Sequence, residues 1–193
     1  MRVKILNEQG YYEALFGVGL SYGLTSDKEL LDLKDSDWKE LSKIANKLYN
    51  KQGGHNKFLE SIQMWIDITA PRYWWQEFAT YRVGTSIQSE STIHSGLKNG
   101  LSNKDFVLNL PNIFLKILNM CIASKNLIEL KALLPEGFLQ RRIVNTNYKV
   151  LQNIISQRKN HKLSEWHVFI DSIMRQAKYA PFFLRGINEK KKN

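Results

Sequence analysis

Residues 55–94 read HNKFLESIQMWIDITAPRYWWQEFATYRVGTSIQSESTIH. The stretch changes character twice, from an apolar run to an aromatic one after Pro71, then to small polar residues from Gly84. Its first part carries Phe58, Ile62, Trp65, Ile66 and Ile68, a spacing that predicts a helix first and a buried strand near the end. Pro71 marks a boundary and suits the first position of a helix over 72–80, whereas 84–91 has the composition of a loop. Trp65, Tyr73, Trp74, Trp75, Phe78 and Tyr81 offer flat faces, and Arg82, Thr85, Ser86, Gln88, Ser89 and Ser91 offer hydrogen-bonding groups. Aromatic walls beside a polar rim suit a nucleotide or a flavin. The same aromatics serve equally well as ordinary core.

Outward from this stretch, residues 2–6 alternate polar and apolar and run into Asn7-Glu8-Gln9-Gly10, the pattern of a first strand closed by a turn. Residues 14–22 read as another short strand. Ser26 or Asp27 can cap a helix start, and Asp37 with Glu40 three residues on predicts a capping box for an amphipathic helix that stops at Gly53-Gly54. Further helices are expected over 105–120 with Pro111 a kink or break, over 127–134 ending at Pro135, over 144–157 and over 164–178. Strands in front and helices behind predict an α+β fold with a small sheet. There is no internal repeat, and the chain reads as a single domain over 1–185 with a basic tail over 186–193.

The chain has 193 residues, 28 Lys and Arg against 18 Asp and Glu, and a formal charge of +10, which favours anionic partners without choosing among nucleotides, folates and nucleic acid. Cys121 is the only cysteine, so no intrachain disulfide can form, and a buried structural thiol in a reducing cytoplasm is the natural reading. No apolar run approaches the ~20 residues a spanning helix needs, and the start MRVKILNEQG lacks signal-peptide character.

Gly17-Val18-Gly19-Leu20-Ser21-Tyr22-Gly23 is not a dinucleotide loop, because its third glycine comes one residue late and no helix with an acidic ribose partner follows. The four histidines have no Cys or carboxylate at ligand spacing, which argues against a metal site, and no Ser-His-Asp order or nucleophile elbow supports hydrolysis. No side chain is singled out as catalytic.

The order His55, Glu60, Ala70-Pro71, Gln76, Arg82, Ser86, Gln88 and Ser91 resembles the flavin-dependent thymidylate synthases, whose signature is Arg-His-Arg, a short spacer and a Ser in a loop. Lys131-Ala132-Leu133-Leu134-Pro135 is similar to the family's Arg-x-x-Leu-Pro, and Asn147-Tyr148-Lys149 with Arg158 is similar to its Asn-x-Arg and the Arg that follows. Four blocks in family order cover roughly residues 52–166. The chain departs from the pattern at Thr80-Tyr81-Arg82, which stands for Arg-His-Arg. One extra loop residue is needed for register, Ser89 falls on the family's Glu, Ile93 on an Arg, and Lys131 and Lys149 replace Arg. Lys is a point charge where Arg is a planar fork, so bidentate recognition changes even where charge is kept. The small size and altered loop resemble a phage-type member.

The resemblance implies an FAD-dependent enzyme that makes thymidylate from deoxyuridylate, with NADPH as reductant, methylenetetrahydrofolate as carbon donor and no cysteine nucleophile. It implies sites shared between subunits of a homotetramer. By carry-over, His55, Arg82, Asn147 and Lys149 face FAD, and Gln76, Ser86, Gln88, Ser91, Lys131 and Arg158 face the pyrimidine deoxynucleotide. With the altered motif, the expectation is a diverged enzyme that transfers a one-carbon unit to carbon 5 of a pyrimidine. The alternative is a non-catalytic nucleotide-binding or nucleic-acid-binding protein on the same fold, although no nucleic-acid-recognition motif is present.

Overall fold

Alternation along residues 63–71 builds the centre of the molecule. In the computed structural model, which describes residues 1–51, 54–91 and 100–179, these residues form the strand β2 (Gln63–Pro71), with β1 (Arg2–Gln9) before it and β3 (Ser86–Ser89) and β4 (Leu139–Asn147) after it. The four strands make one antiparallel sheet in the order β1-β2-β4-β3. Met64, Ile66, Ile68 and Ala70 point to one face and are fully buried, together with Val144 of β4. Trp65, Asp67 and Thr69 alternate to the other face, where Asp67 alone is buried.

A carboxylate at that depth needs a partner, and β4 supplies it. Arg141 grips Asp67 in a fork, Nε to Oδ1 at 2.9 Å and Nη2 to Oδ2 at 2.8 Å, and Arg2 of β1 adds a bond at 3.3 Å. Three strands are thereby tied across one carboxylate. The Arg141 hydrogen bonds hold the Asp67 carboxyl below its ordinary range against the opposing effect of burial.

Seven α-helices lie among the described residues: α1 (Tyr11–Leu20), α2 (Asp35–Leu48), α3 (Arg72–Phe78), α4 (Asn112–Ala123), α5 (Leu127–Leu133), α6 (Tyr148–Arg158) and α7 (Ser164–Gln176). The buried residues of α1, α2, α3, α6 and α7 join the main core with the inner face of the sheet. Gln176 of α7 closes the free edge of β1, accepting from the Ile5 N–H at 3.1 Å and donating to the Val3 carbonyl at 3.0 Å. A satellite core gathers Leu101, Phe106, Leu118, Cys121, Leu130, Leu134 and Phe138 around α4 and α5. The lone thiol is thus structural, and burial pushes its pKa up.

The α+β class, the first strand and most helices agree with the sequence reading, and five local expectations do not. Residues 14–22 form no strand, because Tyr11, Ala14, Leu15 and Val18 bury at helical spacing in α1. The helix is launched by Gly10, left-handed at φ 86°, where a Cβ would stand 2.3 Å from the Ser61 carbonyl oxygen. Residues 58–62 form only a short 3₁₀ turn (Lys57–Glu60) before β2, so no α-helix precedes the strand. Residues 84–91 are not all loop, since Ser86 to Ser89 pair with Arg142 to Asn145 as an edge strand. The helix expected over 144–157 starts only at Tyr148, because residues up to Asn147 pair with β2 on one side and β3 on the other. Asp37 does not begin α2 but sits one turn inside it, its carboxylate accepting from the Lys34 N–H at 2.9 Å. Gly53, Ile93, His94 and the basic tail lie outside the described residues.

Asp67→Asn should lower the unfolding free energy by about 1 kcal/mol near neutral pH, below the 1.5 to 3 kcal/mol of a charged hydrogen bond because Arg141 is half exposed. The Asp67 contribution is present above the unfolded carboxylate value near ~3.9 and is lost as pH falls through the depressed folded value. Urea unfolding of the two proteins should therefore differ at pH 7 and converge in acid, once pH has fallen through the depressed folded value.

Candidate functional site

The passage from β4 into α6 takes a single residue. Asn147 ends the strand in an extended conformation and caps the helix, its Oδ1 accepting from the Val150 N–H at 3.0 Å. The Tyr148 N–H donates to the Ile62 carbonyl at 3.0 Å, and the fully buried Tyr148 hydroxyl donates to Glu8 at 2.7 Å. Burial and that carboxylate push the phenol pKa far up. The start of α6 is therefore pinned to β1 and to the entry of β2.

Two other segments meet it there. Asn56 is buried, takes the Lys149 ammonium on Oδ1 and donates from Nδ2 to the Tyr49 carbonyl at 3.0 Å, so the exposed His55 beside it is anchored against α6. On the opposite side, Gly84 is left-handed at φ 69°, and a Cβ there would lie 2.9 Å from Asn147 Nδ2. Thr85 and Thr146 share a hydroxyl contact at 3.1 Å, and the exposed Arg82 and Val83 lie just before this turn. Asn56 and Gly84, in segments far apart in sequence, thus flank the helix N-terminus that carries Asn147 and Lys149, with His55 next to the first and Arg82 two residues before the second.

The electrostatics of that end are unusual. The first turn of α6 contains no acidic residue and does contain Lys149, although the helix dipole disfavours a cation at this position. Lys149 and the positive helix end together suit an anion or an electron-rich ring carbonyl. A groove of about 800 Å³ adjoins His55, between α1 and the 54–61 segment, lined by Glu13, Gly17, Tyr22, Lys57, Glu60 and Ser61.

The nucleotide-facing candidates are more dispersed. Ser86 and Gln88 are exposed and two residues apart on β3, so they share one face and lead away from the α6 start. Ser91 is half-buried, just beyond the strand. Gln76 donates to Glu136 at 2.9 Å, which ties α3 to the turn after α5. Lys131 is exposed on α5. Arg158 stands at the far end of α6, where Nη1 donates to Glu77 at 3.1 Å and Nε to the Tyr81 hydroxyl at 2.8 Å, with its plane 4.8 Å from the Trp166 ring.

The carboxylate of Glu77 organises that cluster, accepting also from Trp166 Nε1 at 2.8 Å, with His161 Nε2 at 3.4 Å. Asn56, Glu77 and Glu136 were not singled out from the sequence, and each acts as the partner of a residue that was. A partner in a distant segment leaves no spacing signal.

The aromatic run is not a pocket wall. Trp74, Trp75 and Phe78 are fully buried and Tyr81 nearly so, packed with Trp166 and Phe169 in edge and stacked contacts of 4.8 to 6.2 Å. Residues 72–78 are helical, so Trp74, Trp75 and Phe78 fall on one face, toward the core. Among the described residues no group of His, Cys, Asp and Glu could hold a metal ion, and no helix is long and apolar enough to cross a membrane.

No protein-family model matches the chain, and no curated protein does. Solved structures do. Two crystal structures of flavin-dependent thymidylate synthase ThyX from Helicobacter pylori with FAD and dUMP align at TM-scores of 0.77 and 0.76, both at 17% identity. The first alignment covers 96% of this chain and 99% of that one; the second covers 97% and 99%. A UMP/dUMP methylase, PolB from Streptomyces cacaoi, bound with 5-Br dUMP, aligns at TM-score 0.67 and 13% identity over 94% of this chain and 90% of its own. The chain therefore has the flavin-dependent thymidylate synthase fold.

Proposed function

We propose that this protein binds FAD and a pyrimidine deoxynucleotide and transfers a one-carbon unit to carbon 5 of the pyrimidine, as a homo-oligomer. The observation that carries the reading is the closing of the Asn56 and Gly84 segments, which carry His55 and Arg82, onto Lys149 and Asn147 at the start of α6, in a chain whose backbone follows an enzyme solved with FAD and dUMP over nearly its whole length.

The donor set fits a flavin cofactor. Lys149 and Arg82 can neutralise its phosphates or ring carbonyls, Asn147 is held rigid by its capping bond, and the exposed Val83 offers an apolar edge for a ring. FAD, when bound, supplies the redox chemistry, with NADPH as reductant and methylenetetrahydrofolate as carbon donor. The chain's own task is orientation: Asn56 fixes the Lys149 ammonium, the Thr85–Thr146 contact fixes the turn that carries Arg82, and Ser86 and Gln88 present hydroxyl and amide groups along one strand face to the nucleotide. Gln76, Ser91, Lys131 and Arg158 complete the nucleotide-facing set. Arg158 contributes from a fixed position, since Glu77 and Tyr81 hold its guanidinium.

A second reading, binding without turnover, has one observation in its favour. Where the family carries a titratable His, this chain has Tyr81, which is nearly buried and bonded to Gln157 at 3.0 Å and to Arg158. Such a group is committed to the core and cannot serve a bound nucleotide.

Purified protein should take up FAD in calorimetry, and Arg82→Ala should weaken that binding about tenfold or more, the loss of one charged hydrogen bond of roughly 1.5 to 3 kcal/mol. Failure of the parent protein to bind FAD would remove the proposal. With FAD, NADPH, methylenetetrahydrofolate and deoxyuridylate, chromatography should show weak or no thymidylate, because Thr80-Tyr81 lacks two donors of the family signature. Sustained turnover above a no-enzyme control would show that other groups compensate. Flavin and nucleotide binding without turnover on any pyrimidine deoxynucleotide would establish the second reading instead.

A further inference from the structure

Among the described residues the partly buried arginines are Arg72, Arg142 and Arg158. Two of them have a carboxylate, Arg72 with Glu136 at 3.4 Å and Arg158 with Glu77 at 3.1 Å. Arg142 is paired with none among the described residues. Its guanidinium lies over the buried Trp75, 4.5 Å from the ring centre, and both Nε and Nη2 donate to the neutral Gln140 Oε1, at 3.3 and 2.7 Å. The carboxylates of the flanking segments are committed elsewhere, Glu90 to the Arg141 N–H at 3.0 Å and Glu136 to Arg72 and Gln76. Burial and, after it, the like charge of Arg72 push the Arg142 pKa down. A cation withdrawn from water normally keeps a counter-ion, because its desolvation is otherwise uncompensated.

The guanidinium is nevertheless held in one orientation. Trp75 Nε1 donates to the Gln140 carbonyl at 2.9 Å and the Gln140 amide donates to the Glu90 carbonyl at 3.4 Å, so the ring beneath Arg142 and the acceptor beside it are both fixed. Nη1 is left without a partner among the described residues. Ser89 of β3 pairs with Arg142 in register, which puts its exposed side chain on the same face. Gln76, next to Trp75 on α3, and Ser91, two residues beyond Ser89, both belong to the nucleotide-facing set. We propose that Arg142, with Ser89 beside it, is the subsite for the phosphate of the nucleotide. The phosphate is the one anionic group of a pyrimidine deoxynucleotide at neutral pH; it supplies the missing counter-ion, and its oxygens accept from a guanidinium and a hydroxyl together. Arg142 lies five residues before Asn147 on β4, roughly 16 Å by strand rise from the start of α6 where the flavin-facing residues stand, which favours the nucleotide over the flavin as the source of that phosphate. The chain has Ile93 where the family signature has an arginine, and Arg142 returns one cation to the nucleotide-facing set. The assignment rests on the functional reading above and adds to it a residue that the family order does not contain.

The test uses the full chain, with inorganic phosphate, deoxyuridylate and deoxyuridine as probes. Phosphate should raise the melting temperature of the parent and leave that of Arg142→Gln unchanged. In calorimetry the parent should bind deoxyuridylate more tightly than deoxyuridine, and Arg142→Gln should lose about tenfold or more on the nucleotide while its affinity for FAD stays the same. Arg142→Lys, which keeps the charge but not the fork, should recover part of the loss. Without ligand, Arg142→Gln should melt close to the parent, because it removes a cation that has no counter-ion, whereas a purely structural arginine would be missed. A parent indifferent to phosphate, equal affinities for deoxyuridylate and deoxyuridine, a variant that binds as the parent does, or a variant that melts well below the parent would each overturn the proposal. Tenfold weaker FAD binding by the variant would also overturn it, by assigning the arginine to the flavin's pyrophosphate. Phosphate stabilisation through Arg142 in a chain that takes up no FAD leaves the subsite standing and removes the functional reading; FAD uptake with no response to phosphate does the reverse.

Discussion

The step from Asn147 to Tyr148 is held by more bonds than any other turn near the candidate site, and the arrangement around it depends on them. Asn147 is the last residue of a strand paired with β2 along its length and with β3 from Arg142 to Asn145, so α6 cannot begin earlier. The cap on Val150, the Tyr148 N–H on Ile62 and the Tyr148 hydroxyl on Glu8 then set the direction of the helix. Glu8 also accepts from the Lys178 N–H at 2.8 Å, which links β1, α6 and the segment after α7 through one carboxylate. With the helix so placed, Asn56 on one side and Gly84 on the other have only one way to close against it.

The two ends of α6 solve opposite electrostatic problems. At the start, a lysine sits where the helix dipole opposes it and is retained by Asn56. At the end, Arg158 is where a cation is favoured, and Glu77, Tyr81 and Trp166 satisfy it within the chain. The first end leaves a lysine held by one amide oxygen, and the second is a clamp that joins α3, α6 and α7.

The satellite core follows a different logic from the main one. Its helices α4 and α5 are joined to the sheet through Arg72, which donates to the Leu134 carbonyl at 2.8 Å and pairs with Glu136 at 3.4 Å, and through the bridge between Phe106 and Phe138. It buries one face of α4 and leaves the other bare.

Periodicity and punctuation determined much of this protein directly. The alternation of residues 2–6, the prolines around α3, α4 and α5, and the order of His55, Arg82, Ser86, Asn147 and Lys149 were all legible, and they were enough for the α+β class and the flavin-dependent thymidylate synthase fold. What sequence could not show is whatever depends on a partner far along the chain. Residues 139–147 and 86–89 carry too little apolar alternation to declare themselves as strands; they are strands because each pairs with the other and β4 pairs with β2. The aromatic run read singly as core and as a cluster as a pocket wall, and the packing of α7 against α3 decided for core. Asn56 beneath Lys149 and Glu77 beneath Arg158 lie 93 and 81 residues from the side chains they hold, a separation over which composition carries no signal and tertiary geometry alone makes the contact.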